Sequence, residues 1–253
     1  MKCVVINLKR ALERKHYMFG QLEKLDQEFE FVEGIDWKDI DPLLLSNTVK
    51  NIRIKNSYRK LSLGYMACNL SHRKVLKQFV DSSEKIIAVL EDDVKLNKDL
   101  PKVLKALENP PHHFDIVFLH RREKQNNLLV NLKAVSAKYA LSLSKKEEAG
   151  ALGYVITKSA AKHFLTVLPQ VCGPIDDALH AYYCHGLKTY TLNPQIVSLG
   201  EVGINHSYNL EQTTQGKNLK EEISRLFPKY YGLFLHGIHF RRRINTEKQM
   251  GLI

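Results

Sequence analysis

Hydrophobic and polar positions along the chain follow two periods. Short β-rich apolar runs occur at Cys3 to Ile6, Ile86 to Leu90, Ile116 to Leu119 and Gly153 to Ile156. Charge or turn residues bound them, as Asn109-Pro110-Pro111 does before the third, and they predict buried strands. Between them, Leu12 to Leu25 places Leu12, Phe19 and Leu22 at helical spacing, and Lys158 to Leu168 predicts a further helix. Tyr65, Cys68, His72, Leu76 and Phe79 form one helical stripe, which predicts that His72 faces inward. Strands alternating with helices predict an α/β domain with a mostly parallel central sheet, whose ligands collect at the carboxyl ends of the strands. Residues Arg121 to Glu148 are polar and weakly periodic, as expected of a mobile loop over a site. After about Gly203 the rhythm breaks, so residues 1–203 read as the α/β domain and 204–253 as a small basic, aromatic-rich helical extension.

Composition sharpens this picture. The 253 residues are 44% hydrophobic, enough for one such domain, and no run approaches the roughly 20 apolar residues of a bilayer span. The opening MKCVVINLKR is too short an apolar run for a secretory signal, which makes a cytoplasmic address the expectation. Cys3, Cys68, Cys172 and Cys184 contain no CxxC pair, so free buried thiols are expected rather than a disulfide framework or zinc knuckle. The net charge of +11 is uneven: Leu43 to Val80 holds eight Lys or Arg and no acid. Such a field attracts polyanions, whether nucleic acid, anionic lipid or phosphorylated glycan. A nucleic-acid partner is not expected, because the chain lacks a zinc finger, an RNP-like strand and a clear helix-turn-helix signature.

The most informative chemistry sits at the end of the second apolar run. Ile86 to Leu90 delivers Glu91-Asp92-Asp93, and strand alternation predicts Glu91 and Asp93 on one face with Asp92 on the other. Three adjacent acids repel one another unless a cation holds them. A hard divalent ion with oxygen ligands is the natural partner, and it commonly binds phosphate on its far side. An acidic turn or helix cap is the plain alternative. Elsewhere, Asn7, Arg10 and Arg14 lie where the first strand turns into the first helix, a position suited to phosphate, or else to a solvated helix face. Asp176 and Asp177 follow Gly173-Pro174 at the start of a helix expected over Ala178 to Tyr183, where acids either cap or act as a base. Asp176, His180 and Cys184 lie at i, i+4, i+8, but soft and hard ligands mixed on one helix with no second cluster make zinc a poor reading there. Gly150, Gly153 and Tyr154 precede the helix beginning near Lys158, where glycine lets backbone approach a sugar or simply packs a strand.

Five blocks in order resemble glycosyltransferase family 25: VVINLKRALERK, LGYMACNLSHRKVL, VLEDDV, GALGYVITKSAAKHFL and GPIDDAL. The resemblance covers most of residues 2 to 200. It implies a GT-A-like nucleotide-sugar-binding fold, a UDP-sugar donor with galactose favoured, and an inverting displacement onto a lipooligosaccharide or LPS core acceptor. It implies Mn²⁺ or Mg²⁺ at Glu91 and Asp93, and donor contacts from Asn7, Arg10, Arg14, His72 (within Leu70-Ser71-His72), Asp92, Gly153 and Tyr154. Asp176, within Pro174-Ile175-Asp176, becomes the first candidate base and Asp177 the second. By fold analogy His206 becomes a further metal ligand. The rival readings are a nucleotidyltransferase or nucleotide-sugar hydrolase of similar fold, and a catalytically silent scaffold. The tail interleaves Phe227, Tyr230, Tyr231 and Phe240 with Arg241, Arg242 and Arg243, which suits either peripheral contact with the inner face of the cytoplasmic membrane and an anionic glycolipid acceptor, or packing on the domain. Pro228 and Gly232 are expected to interrupt that helix.

Overall fold

In the computed structural model of the protein, the residues described are 1–41, 43, 62–110, 113–121, 129–144, 149–171, 173–204 and 219–249. The first apolar run forms β1 (Cys3–Asn7), followed by α1 (Leu12–Lys24), which buries Met18 and Leu22, and by β2 (Phe29–Glu33). Strand β1 is parallel to β2 on one side and to β3 (Ile86–Glu91) on the other, with Ile6 opposite Glu91. A turn at Asp92-Asp93 leads into the short β4 (Val94–Leu96), which pairs with β10 (Val197–Leu199).

The remaining strands are β5 (Ile116–Phe118), β6 (Leu129–Ala134), β7 (Ala140–Ser144), β8 (Gly153–Thr157) and β9 (Thr189–Asn193). They complete an eight-stranded sheet of order β2-β1-β3-β8-β5-β9-β7-β6. Six of its strands run one way; β8 and β7 run against them. The sheet is thus mostly parallel in direction, yet β8 lies antiparallel between β3 and β5 at the centre. That insertion brings Gly153 beside Leu90 and Tyr154 beside Phe118.

Alternate side chains of the central strands feed two cores, as a sheet covered on both faces requires. On one face Cys3, Val5, Ala88 and Leu90 pack with α1 and with α3 (Leu100–Glu108). On the other, Val4, Ile87 and Val89 pack with α2 (Leu63–Asp81), α4 (Lys158–Val167) and α5 (Ile175–His180). The helix expected over Ala178 to Tyr183 is in fact broken at Ala181, where α5 gives way to α6 (Tyr182–His185). Helix α6 ends at Gly186, whose φ of +73° is the left-handed cap that glycine adopts without strain.

Two expectations need correction. The stretch from Arg121 to Glu148, read as a loop, contains the β6–β7 hairpin at the sheet edge; residues 122–128 and 145–148 lie outside the described residues. Its pattern is masked because Lys133 is buried in the hairpin, where Glu247 meets its ammonium at 3.3 Å. The C-terminal extension is also not interrupted. After α7 (Glu201–Ile204), α8 (Leu219–Gln249) runs unbroken past Pro228 and Gly232.

The C-terminal half of α8 packs on the sheet. Phe240 and Ile244 join the core of that face. Arg243 donates to the Thr189 carbonyl at 2.8 Å and lies over Tyr190 and Tyr182 at 4.9 and 5.3 Å. Glu247 accepts from the Tyr190 hydroxyl at 2.9 Å and pairs with Lys133. Removing one partner of a buried pair of this kind costs roughly 3–5 kcal/mol. The packing keeps Arg243 against the sheet while Arg241 and Arg242 remain exposed. Among the described residues no helix is long and apolar enough to cross a membrane.

Candidate active site

The parallel pairing of β1 with β3 sets their carboxyl ends side by side, and the loops leaving both strands bound a cleft of about 700 Å³. Its floor carries Glu91, Asp92 and Asp93. Arg10, Arg14, Ile35, Trp37 and Lys38 lie along one side, and Cys68 and His72 from α2 face it on the other.

The three acids are not equivalent. Asp92 accepts from Asn7 Nδ2 at 2.6 Å and pairs with Arg14 at 3.1 Å. Burial raises its carboxyl above the ordinary range, against the pull of Arg14 and Asn7. Asp93 lies 3.8 Å from the same guanidinium, and its Oδ1 is buried with no hydrogen-bond partner. Burial first, then the charges of Glu91 and Asp92, push its carboxyl up to about 7. A buried oxygen without a donor, beside two further carboxylates, is an arrangement that a cation completes. Glu91 closes the floor, where His72 Nε2 lies 3.6 Å from its Oε1. The other ring nitrogen of His72 meets the Tyr154 hydroxyl at 3.0 Å.

Asp176 opens α5 and accepts from the Gly150 N–H at 3.0 Å. Asp176 is not among the residues that border the cleft, but its charge reaches Cys68 on the cleft wall: after burial, the charges of Glu91, Asp176 and Asp93 hold that thiol well above its usual range. Gly150 has a φ of +100°, and a Cβ there would meet His120 Nε2 at 2.7 Å. Its carbonyl lies 3.0 Å from His180 Nε2, so the loop carrying Gly150 is pinned on both sides. His180 itself stacks on Phe118 at 3.7 Å.

The family model for glycosyltransferase family 25 (LPS biosynthesis protein) matches residues 1–179. The chain belongs to glycosyltransferase family 25. Among curated relatives of this family 25 chain, human procollagen galactosyltransferase 2 is 27% identical over 195 residues, covering 71% of the chain and 30% of that protein. The lacto-N-neotetraose biosynthesis glycosyltransferase LgtE of Neisseria meningitidis serogroup B is 26% identical over 216 residues, covering 76% and 71%. The protein of the same name from Neisseria gonorrhoeae is 21% identical over 275 residues, covering 98% and 94%. The chain therefore spans about 30% of the first procollagen relative and most of the bacterial ones. A solved glycosyltransferase involved in glycosylation of the major capsid of PBCV-1 aligns at a TM-score of 0.37 and 9% identity, over 67% of this chain and 66% of that one. That likeness is too distant to bear on the site.

Of the family 25 residues singled out in the sequence, Arg10, Arg14, His72, Glu91, Asp92 and Asp93 border the cleft. Asn7 stands behind it, orienting Asp92 and donating also to the Ala11 carbonyl at 3.1 Å. The arginines expected to meet phosphate are engaged by acids, Arg14 with Asp92 and Arg10 with Asp36. Gly153 serves strand packing, since a Cβ would lie 2.9 Å from Leu90 Cδ2, and the Tyr154 ring is fully buried beneath His72. Asp177 lies in the first turn of α5, half-buried, next to Asp176. His180 and Cys184 do not share a face: the first is buried, the second exposed, and the helix breaks between them. His206 lies outside the described residues, as do Lys50 to Lys60 of the basic stretch. Asp36, Trp37 and Lys38 escaped sequence reasoning because their short 3₁₀ turn (Trp37–Asp39) carries no periodic signal. The placement of Cys68 one turn from His72 was visible in the sequence, but not its approach to Glu91.

The buried histidines of this family 25 chain set an acid limit on its fold. Burial, followed by neighbouring His120, lowers His180 to about 3, and burial lowers His185 to about 4. An unfolded chain takes up these protons near pH 6.5, whereas the folded one does not until pH 4 or below, so stability falls as pH drops through this window. At pH 5 the loss is about 2 kcal/mol for each histidine. Asp93, whose carboxyl is pushed up to about 7, takes up its proton first in the folded chain and offsets part of this loss. In Asp93→Asn, where that offset is removed, urea midpoints should therefore fall between pH 7.5 and 5 while both imidazole resonances stay at their neutral positions. Midpoints that do not move, or imidazoles that titrate near pH 6.5, would contradict this account.

Proposed function

We propose that this chain is a hexosyltransferase that moves a sugar, galactose by preference, from a UDP-sugar to a lipooligosaccharide or LPS core acceptor with a divalent cation, Mn²⁺ or Mg²⁺. The observation that carries this reading is the unpartnered, buried Asp93 Oδ1 on the cleft floor beside Glu91. Oxygen donors of this kind fit a hard divalent ion, and Glu91 and Asp93 would hold it. When bound, the ion supplies neutralisation of the departing diphosphate. Arg14 keeps Asp92 and Asp93 from repelling each other outright, and Asn7 fixes the orientation of Asp92. Arg10 and Lys38 add positive potential along the wall the diphosphate would follow.

In an inverting displacement the acceptor oxygen bonds to the anomeric carbon as the bond to the diphosphate breaks, and the hydroxyl proton passes to a carboxylate. Asp176 is the first choice for that carboxylate, with Asp177 second. The Gly150 N–H holds the Asp176 Oδ2 atom at 3.0 Å, which orients the group without neutralising it. Calorimetric titration with UDP, UDP-galactose, UDP-glucose and UDP-N-acetylglucosamine should show binding in Mn²⁺, weakened at least about tenfold by EDTA (1.4 kcal/mol). Absence of binding by every uridine nucleotide in both conditions removes the reading. Pyrophosphate-dependent formation of a nucleoside triphosphate would mark nucleotidyl transfer instead.

The acceptor side of the proposal includes peripheral contact with an anionic membrane. It is supported by exposed Arg241 and Arg242 and by Phe234, which is 62% exposed on the same helix. Binding to vesicles containing anionic lipid should fall steeply with salt and with Arg241→Gln/Arg242→Gln. Arg243→Gln should instead lower the melting temperature, because that side chain is engaged with Thr189 and Tyr190. Vesicle binding that is absent or indifferent to salt would remove the membrane contact.

A further inference from the structure

One wall of the cleft carries ligand chemistry that the oxygen-based metal reading does not use. Cys68 and His72 lie one helical turn apart on α2 and point to the end of β3, where Glu91 stands. The Cys68 sulfur, a His72 ring nitrogen and a Glu91 carboxylate oxygen all lie within 4.8 Å of one another. His72 is 1% exposed, and its Nε2 has no hydrogen-bond partner; the nearest charged atom is the Glu91 oxygen at 3.6 Å. A buried ring nitrogen without a hydrogen-bond partner, aimed at a carboxylate and a thiol, is an arrangement that a cation satisfies. All three residues border the cleft, so a fourth direction opens into it.

We propose that Cys68, His72 and Glu91 form a zinc-class site, with one sulfur, one nitrogen and one oxygen ligand and a fourth position open to the cleft. Zinc accepts all three ligand types, at about 2.3 Å to sulfur and 2.0–2.2 Å to nitrogen or oxygen, which places tetrahedral ligands about 3.5 Å apart. The 4.8 Å limit therefore leaves a contraction of at most about 1.3 Å, within reach of side-chain rotation. In the loaded site the Nδ1–H of His72 donates to the Tyr154 oxygen, 3.0 Å away, and Nε2 turns its lone pair to the metal. A second partner of this kind fixes ring orientation and tautomer in metal-binding histidines. A hard ion prefers the oxygens of Glu91 and Asp93; a borderline ion prefers the sulfur and nitrogen side. The two sites share Glu91, whose Oε1 is the oxygen 3.6 Å from His72 Nε2. The open fourth position takes an anionic oxygen ligand, such as phosphate or hydroxide.

The site is testable without any sugar donor, so its failure and that of the transferase reading are separable. The full-length protein, stripped with a chelator, is titrated with Co²⁺ and followed by absorption. The proposal expects one equivalent to give a near-ultraviolet thiolate-to-cobalt charge-transfer band together with intense visible bands of four-coordinate cobalt. Zn²⁺ at one equivalent should bleach both, and a hundredfold excess of Mg²⁺ should not. Cys68→Ser, which changes only sulfur to oxygen, should lose the charge-transfer band, and His72→Gln should weaken Co²⁺ binding at least about tenfold, or 1.4 kcal/mol. Absence of the band in the unsubstituted protein overturns the proposal without recourse to any variant. So does a band that persists in Cys68→Ser, which would place the thiolate elsewhere, or one displaced by Mg²⁺.

Discussion

Asp93→Asn is expected to abolish sugar transfer while leaving the chelator-treated protein more stable than the parent. The two effects have opposite signs for one physical reason. In the folded chain the Asp93 carboxylate is buried, lies near the charges of Glu91 and Asp92, and has an oxygen with no donor. Folding a charge into that place costs free energy that Arg14, 3.8 Å away and shared with Asp92, offsets only in part, and a neutral amide of the same shape avoids that cost. A gain of about 1 kcal/mol, or roughly 2–4 °C in Tm, is the expected size for a chain of this length. The amide supplies neither the charge nor the hard oxygen pair that a divalent cation requires, so turnover with a UDP-sugar should fall roughly a thousandfold. UDP binding should also lose its dependence on Mn²⁺. A purely structural aspartate would show the reverse, a loss of stability with turnover retained per folded molecule. Near-normal transfer by Asp93→Asn would overturn the metal assignment.

The second large effect is expected at Asp176. Its carboxylate oxygen accepts the Gly150 N–H at 3.0 Å, and Gly150 is itself held against His120 and His180. An asparagine at this position would retain an oxygen acceptor for that bond, so Asp176→Asn should fold as the parent does and bind UDP within about twofold. What the amide cannot do is take a proton from the acceptor hydroxyl, a contribution typically worth about 10²–10⁴ in rate. The loss should therefore fall on kcat with donor affinity preserved. If Asp177→Asn shows that signature and Asp176→Asn does not, the base is the second acid of α5. If both variants turn over normally, neither carboxylate is the base.

Local order was readable where the chain repeats a pattern with the period of the element it forms. The apolar runs became β1, β3, β5 and β8 to within a residue or two, and Leu12 to Leu25 became α1. The inward turn of His72 followed from its stripe, and the acidic motif stood out because three adjacent like charges are costly unless something holds them. The reading failed where a charge is buried by a distant partner. Lys133 in β6 looks like solvent-facing polarity until Glu247 arrives from the other end of the chain. The continuity of α8 past Pro228 had the same origin. Losing one backbone hydrogen bond there costs about 3 kcal/mol, and contacts of Phe240, Arg243, Ile244 and Glu247 with the sheet offset it.

By itself, then, the sequence determined the α/β class, the strands that form the centre of the sheet, the carboxylates at a strand end and the family resemblance, because each is written in neighbouring residues. Only the tertiary structure decided that β8 runs against its neighbours, that Arg14 and Asn7 are committed to Asp92, and that Cys68 and His72 come up against Glu91. Those pairings join segments whose separation along the chain carries no signal of distance in space. Their energies depend on burial, and burial exists only once the two layers of helices have closed on the sheet.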